Sequence, residues 1–139
     1  MNEKQERIAR MLRGVPGDGP DLRYRAYFEQ FNQGHYYEAH EVLEQLWLKD
    51  RQGPNGLFYK GLIQLAGAFV HLQRQRLRPA AALFKLAEAN LRNYPGLHER
   101  LALSAVLTLI RQWLASLEQS SYTANPLSSQ MPPLLRLQG

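Results

Sequence analysis

The stretch "NGLFYKGLIQLAGAFVHLQRQ", residues 55–75, constrains what this chain can fold into more than any other. It has helical periodicity, yet Phe58, Tyr59, Leu62, Ile63, Leu65, Ala66, Phe69, Val70 and Leu72 cover most of its circumference. A helix that is apolar nearly all round is buried, so the rest of the chain must supply a shell around it. Its longest apolar run, "GLIQLAGAFVHL", contains Gln64 and is well short of the roughly 20 residues that a bilayer span requires. One narrow polar stripe remains, at Lys60, Gln64 and His71, with the small residues Gly61, Gly67 and Ala68 alongside. The small residues let a neighbouring helix approach closely. A buried Gln and His each need a hydrogen-bond partner, since leaving either unpaired costs about 1–3 kcal/mol.

The remaining segments read as helices too, and no alternating strand pattern appears. A short helix is expected over residues 3–13, ending at Gly14 before the breaker "GVPGDGP". The next starts with Asp21 as N-cap and carries Tyr24, Tyr27, Phe28 and Phe31 on one face, closing at Gly34. A third runs to about Lys49, where "DRQGPNG" breaks the chain. After the central helix, Pro79 suits the first turn of a helix reaching Asn93, before "YPG". The stretch "LHERLALSAVLTLIRQWLASLEQ" then makes the last long helix, with Trp113 in its core face. Short connections imply antiparallel neighbours, so the expected fold is all-α, a single-domain antiparallel helical bundle of five to six helices. Residues 1–20 form an N-terminal helix and Gly/Pro linker, 21–119 the core domain, and 120–139 a proline-containing tail. The middle of the tail is expected to be disordered, with "PPLLRL" docking in extended form. The order G-x-Y-x-E-A at residues 34–39 is similar to the helix pairs of tetratricopeptide repeats, but the spacing of the partial internal match is wrong for a repeat array.

Composition removes several function classes. The chain has no cysteine, which excludes disulfides, thiolate catalysis and cysteine-ligated zinc or iron–sulfur clusters. The N-terminal "MNEKQERIARMLRG" is charged at helical spacing and reads as neither signal nor anchor, so a cytoplasmic protein without membrane association is expected. The net charge of +5 is spread along the chain. Its densest groups, Lys4/Arg7/Arg10/Arg13 and Arg74/Arg76/Arg78, read as solvated faces and are not interleaved with aromatic residues. No nucleic-acid partner is expected; a protein partner or self-association stays open.

Polar chemistry concentrates in "HYYEAHEVLEQLW", residues 35–47, which holds two of the four histidines. On a helical wheel Tyr36, Ala39, Val42, Leu43, Leu46 and Trp47 share the core-facing arc, with His40 and Glu44 at its edge. Glu41 and Tyr37 flank these two, and Glu38 and Gln45 fall toward solvent. The expected structure brings this border against Gln64 and His71 of the central helix. Three readings follow: a hydrogen-bonded seam that sets helix register, a metal site, or metal-free acid–base chemistry by a His–Glu pair. Metal candidates are His40, Glu44 and His71, with Glu41 as a further donor. The di-metal Glu-x-x-His pattern is absent, and Glu44 stands where a zinc-protease motif needs its second histidine. His35 and His98, both at expected helix starts, read as surface or capping residues.

The string "FNQGHYYEAHEVLEQLW" followed by "FYKGLIQLAGAFVHL" resembles the family called domain of unknown function 309. The motif residues Phe31, Asn32, Gly34, Tyr36, Glu38, Ala39, His40, Glu41, Leu43, Glu44 and Trp47 match its first part. Phe58, Gly61, Leu62, Ile63, Gln64, Leu65, Ala66 and His71 match its second, and the resemblance spans about residues 21–93. It implies an all-α fold and carries no activity, cofactor or substrate. It selects the same polar residues as the wheel (His40, Glu41, Glu44, Gln64 and His71) and adds Glu38, expected to reach back toward Asn32. Asn32 alternatively satisfies free backbone groups at a helix end. With Tyr37 and Trp47 as an aromatic border, the leading expectation is a non-catalytic structural or interaction module without a cofactor. The competing one is a small enzyme or ligand-binding protein using the His/Glu cluster, with a divalent metal as its alternative cofactor.

Overall fold

The all-round apolar segment folds as a buried helix, Gly56–Gln73, with twelve of its residues buried. A computed structural model describes residues 1–17 and 20–139. In chain order the elements are α1 (Glu3–Arg13), α2 (Leu22–Asn32), α3 (Tyr36–Asp50), α4 (Gly56–Gln73) and α5 (Leu77–Leu91). A two-stranded hairpin, β1 (Leu97–His98) and β2 (Leu101–Ala102), leads into α6 (Leu103–Gln119) and a 3₁₀ turn at Pro126–Ser128. The all-α bundle is therefore as expected. No helix among the described residues is long and apolar enough to cross a membrane. Of the expected breaker after α1, Asp18 and Gly19 lie outside the described residues.

Local chemistry sets the helix ends. Asn2 and Gln5 form a reciprocal capping box at α1, and the Asp21 side chain accepts from the Arg23 amide at α2, as anticipated. Gly34, at φ +80°, follows α2 in a Schellman turn, with the His35 amide donating to Gln30 and the Gly34 amide to Phe31. The Tyr94 hydroxyl accepts from the free Phe58 amide in the first turn of α4 and donates to the Pro54 carbonyl. At the other end of α4, Asn125 donates to the Leu72 carbonyl at 2.6 Å.

α4 lies between α3 and α5, its two most extensive neighbours; α2 packs on α3, and α6 on α5. The close approach of α5 is possible because of Gly61, where an added Cβ would fall 2.7 Å from the Leu91 side chain. Phe69 occupies the centre. Its ring is edge-on to Phe31 of α2, Phe84 of α5 and Trp113 of α6, and stacked on Tyr36 of α3 at 5.0 Å. Tyr27 of α2 adds a polar fastening, its buried hydroxyl donating to the Leu62 carbonyl of α4 at 2.6 Å. Burial pushes the Tyr27 phenol well above its usual pKa, so it stays a donor.

Two expectations require correction. Residues 97–102 form a hairpin rather than the first turns of α6, because Glu99 and Arg100 take positive φ (48° and 62°) as a two-residue reversal. Tyr24 holds that turn by donating to the Glu99 carbonyl at 2.8 Å. The tail, expected to be disordered in its middle, is packed: Pro126 is buried in the 3₁₀ turn and Leu135 is 4% exposed. "PPLLRL" does dock in extended form, with Leu137 bridging to Leu101.

Removing the central ring tests this arrangement. Phe69→Ala should destabilise the fold by about 3–5 kcal/mol, the usual cost of deleting a fully enclosed aromatic side chain. Denaturant unfolding would measure it, and a cost under about 1 kcal/mol would show that the rings around Phe69 are not mutually dependent.

Candidate functional site

The polar residues of α3 separate onto two edges of one helix. Tyr37, His40 and Glu44, at i, i+3 and i+7, line a cleft of about 360 Å³ against α4. Glu38, Glu41 and Gln45, one position later, form the opposite edge toward α1 and α2. There Arg7 of α1 makes a two-pronged bond to Glu41, its Nε and Nη2 donating at 2.9 and 2.7 Å. Glu41 is the one buried charged residue among those described, at 2% exposure. Gln45 accepts from Arg23 of α2 at 3.2 Å.

Consequently the expected meeting of all these groups with Gln64 and His71 is only partly realised. His40 and Glu44 share the cleft with Gln64 and His71, whereas Glu41 faces away from it. Gln64 finds its partner on α5 instead, accepting from Asn90 at 2.7 Å. His40 Nδ1 bonds the Tyr37 carbonyl within its own helix at 2.8 Å. The separation of His40 Nε2 from Glu44 Oε2, 3.9 Å, is an ion-pair distance rather than a hydrogen bond. His40, Glu44 and His71, the candidate metal ligands, thus line one cleft, but among the described residues no three carboxylates and imidazoles converge as a metal-binding group.

Other placements sharpen the picture. Asn32 does not meet Glu38. It clamps the tail instead, donating to the Leu135 carbonyl at 2.7 Å and accepting from the Leu135 amide at 2.8 Å. Glu38 is half-buried with no hydrogen bond among those described. Leu46 and Trp47, expected in the core, are half-buried at the border. Trp47 is covered by the Lys60 ammonium at 4.4 Å, a cation–π contact. Tyr37 lies under Arg74 at 5.9 Å. His98 is not a simple cap: its Nε2 meets Asn55 Oδ1 at 2.7 Å and its ring packs edge-on against Phe58. His35 bonds Gln30 at the surface.

The pairs Tyr37–Arg74 and Trp47–Lys60 show α3 and α4 antiparallel along the cleft. Its floor is Ile63, Gly67 and Val70 of α4 with Leu83 of α5, and its rim is polar. His71 is the unusual member. Its buried Nδ1 has no hydrogen-bond partner, a distinction it shares among the described residues only with the Tyr36 hydroxyl. Desolvation, and then the charges of Arg76 and Arg74, hold its imidazole below the ordinary histidine pKa. The Glu44 carboxylate is partly answered from outside the cleft, by Lys4 of α1 at 3.4 Å.

Sequence reasoning missed Arg7, Asn90 and Arg74. The first and last were read as members of solvated basic faces, and nothing in their spacing named a partner. Asn90 had a signal: a half-buried Gln64 on the side of α4 that carries the small residues Gly61 and Gly67 had to be answered from whichever helix came closest.

The Arg7–Glu41 pair makes a direct prediction. Arg7→Leu leaves a buried carboxylate unpaired, so it should lower the melting temperature more than the double variant Arg7→Leu/Glu41→Leu does. Additive losses in a thermal double-mutant cycle would show instead that the two side chains are not coupled.

A curated relative, the uncharacterized protein YpuF of Bacillus subtilis (strain 168), is 35% identical over 63 residues, covering 42% of this chain. The alignment spans about a third of that relative's length, 36%. No solved structure matches the chain. The family model described as Domain of unknown function (DUF309) matches residues 24–83, from the first aromatic of α2 to the cleft-lining Leu83. Through that segment, which holds both polar edges of α3 and the whole of α4, the chain is similar to the DUF309 family.

Proposed function

We propose that this protein is a non-catalytic binding module whose α3–α4 cleft receives a ligand or partner. One observation carries the reading: the motif's polar residues divide into two groups by what they touch. Asn32, Glu41 and Gln64 are each committed to a structural partner, namely the tail at Leu135, α1 at Arg7 and α5 at Asn90. His40, Glu44 and His71 instead line an open cleft with an apolar floor, a combination typical of small-ligand sites. The fastening group makes the frame rigid. His40 and His71 are free of that duty, Glu44 alone of the cleft group also meeting α1 at Lys4, and the cleft side chains are oriented by α3 and α4 rather than by loops, which favours recognition. No cofactor or nucleic acid is needed for this role.

Hydrogen exchange on variants separates the two groups. Asn32→Ala should raise amide exchange across residues 130–139, and Glu41→Gln should do so across α1. His40→Gln and His71→Gln should leave exchange in both segments at the wild-type level. If the cleft variants loosened the frame as much as the fastening variants do, the cleft residues would be structural and the reading would fail.

A further inference from the structure

The cleft carries charge unevenly along its length. Because α3 and α4 are antiparallel, Arg74, His71 and His40 gather toward the Tyr37 end, and Lys60 and Glu44 lie toward the Trp47 end. At the Tyr37 end the charges acting on His71 are those of Arg76 and Arg74, with no carboxylate among them. Glu44, the acidic residue of the lining, is half-buried and already within 3.4 Å of Lys4. The His71 Nδ1 is buried without a partner beside that same cleft. Between the two ends lies an apolar strip of Ile63, Gly67, Val70 and Leu83, in a volume at the lower end of the ~300–1,000 Å³ usual for small ligands.

We propose that the Tyr37 end of this cleft binds the carboxylate of a small organic acid, with the acid's apolar body lying on Ile63, Val70 and Leu83. The inference rests on the cleft being the binding surface and adds the class of ligand. Arg74 supplies a planar, charged donor suited to a carboxylate, and the His71 imidazole supplies a further N–H donor, the His40 N–H being given to the Tyr37 carbonyl. Gly67 leaves room for the body where a larger side chain would fill the strip; a Cβ there would already lie 2.9 Å from Leu83.

Binding should be linked to protonation, with a definite sign. An anion beside His71 offsets the two arginines and favours the imidazolium, so the complex takes up a proton. Affinity is then highest on the acid side of the histidine range and is lost as pH rises through it. The titratable and charged groups around the site are His40, Tyr37 and Glu44 of α3, Lys60 and Arg74 from the α4 side, and Arg76 in the α4–α5 turn. Lys4 of α1 acts through Glu44, and α5 contributes the apolar Leu83.

The test uses the full chain with labelled histidines, titrated by NMR with phenylacetate, with its neutral amide phenylacetamide, and with phenethylamine. Phenylacetate should shift the His40 and His71 ring signals saturably and bind at least about tenfold more tightly than the amide, as a charge-assisted contact would give. Its affinity should fall by about threefold or more between pH 6 and pH 8. Arg74→Gln, an exposed change that spares the core, should weaken phenylacetate and leave the amide unaffected. Equal binding of acid and amide, or tighter binding of the amine, would overturn the ligand class while leaving the cleft a binding surface. No response at the cleft to any of the three probes would overturn both.

Discussion

Everything in this fold depends on the packing of five aromatic rings contributed by five helices. Phe69 is fully enclosed, and the rings it meets come one each from α2, α3, α5 and α6. Such rings hold their neighbours at fixed angles, so moving one helix disturbs contacts to the others. α4 must therefore be apolar nearly all round, and the little polarity it keeps is confined to one stripe. That stripe is where a site could form. The core thus decides the position of the cleft, and the polar residues decide its character.

α3 turns this constraint into a division of labour. Its core face is fixed by Tyr36, Ala39, Val42 and Leu43, all buried, leaving one polar edge on each side. Adjacent residues on a helix point about 100° apart, so His40 and Glu41 cannot serve the same edge. The first lines the cleft, and the second is buried against Arg7. A buried carboxylate is costly unless paired with good geometry, and the two-pronged guanidinium contact provides it. α1, which packs lightly on α2 and α3, is anchored by this ion pair together with the buried Ile8.

Much of this was legible in the sequence where periodicity governs. The six helices, the Asp21 cap, the Gly34 stop and the burial of α4 all follow from local pattern. So does the placement of His40, Glu44, Gln64 and His71 along one cleft, since each wheel marks its own polar border. Contacts between residues distant in the chain were not legible. Asn32 bonding to Leu135 across 103 positions leaves no local trace, nor does Arg7 reaching Glu41. The hairpin at 97–102 was hidden for a different reason. Neither Glu99 nor Arg100 is a residue that signals positive φ, and the turn is held by Tyr24 and by Arg100–Gln138 contacts with the tail. Leu97 and Leu101 read as helix because their spacing fits either state.

The two edges of α3 differ in which polar groups meet solvent. His40 and Lys60 border an open cleft, whereas Glu41, on the next position of the same helix as His40, is sealed under α1. Relaxation enhancement by a soluble, neutral paramagnetic chelate measures this directly in the full chain. Strong enhancement is predicted at the His40 ring and the Lys60 side chain, with none at Glu41, Tyr36 or Phe69. Comparable enhancement at Glu41 and His40 would contradict the division of α3 into a fastening edge and a binding edge.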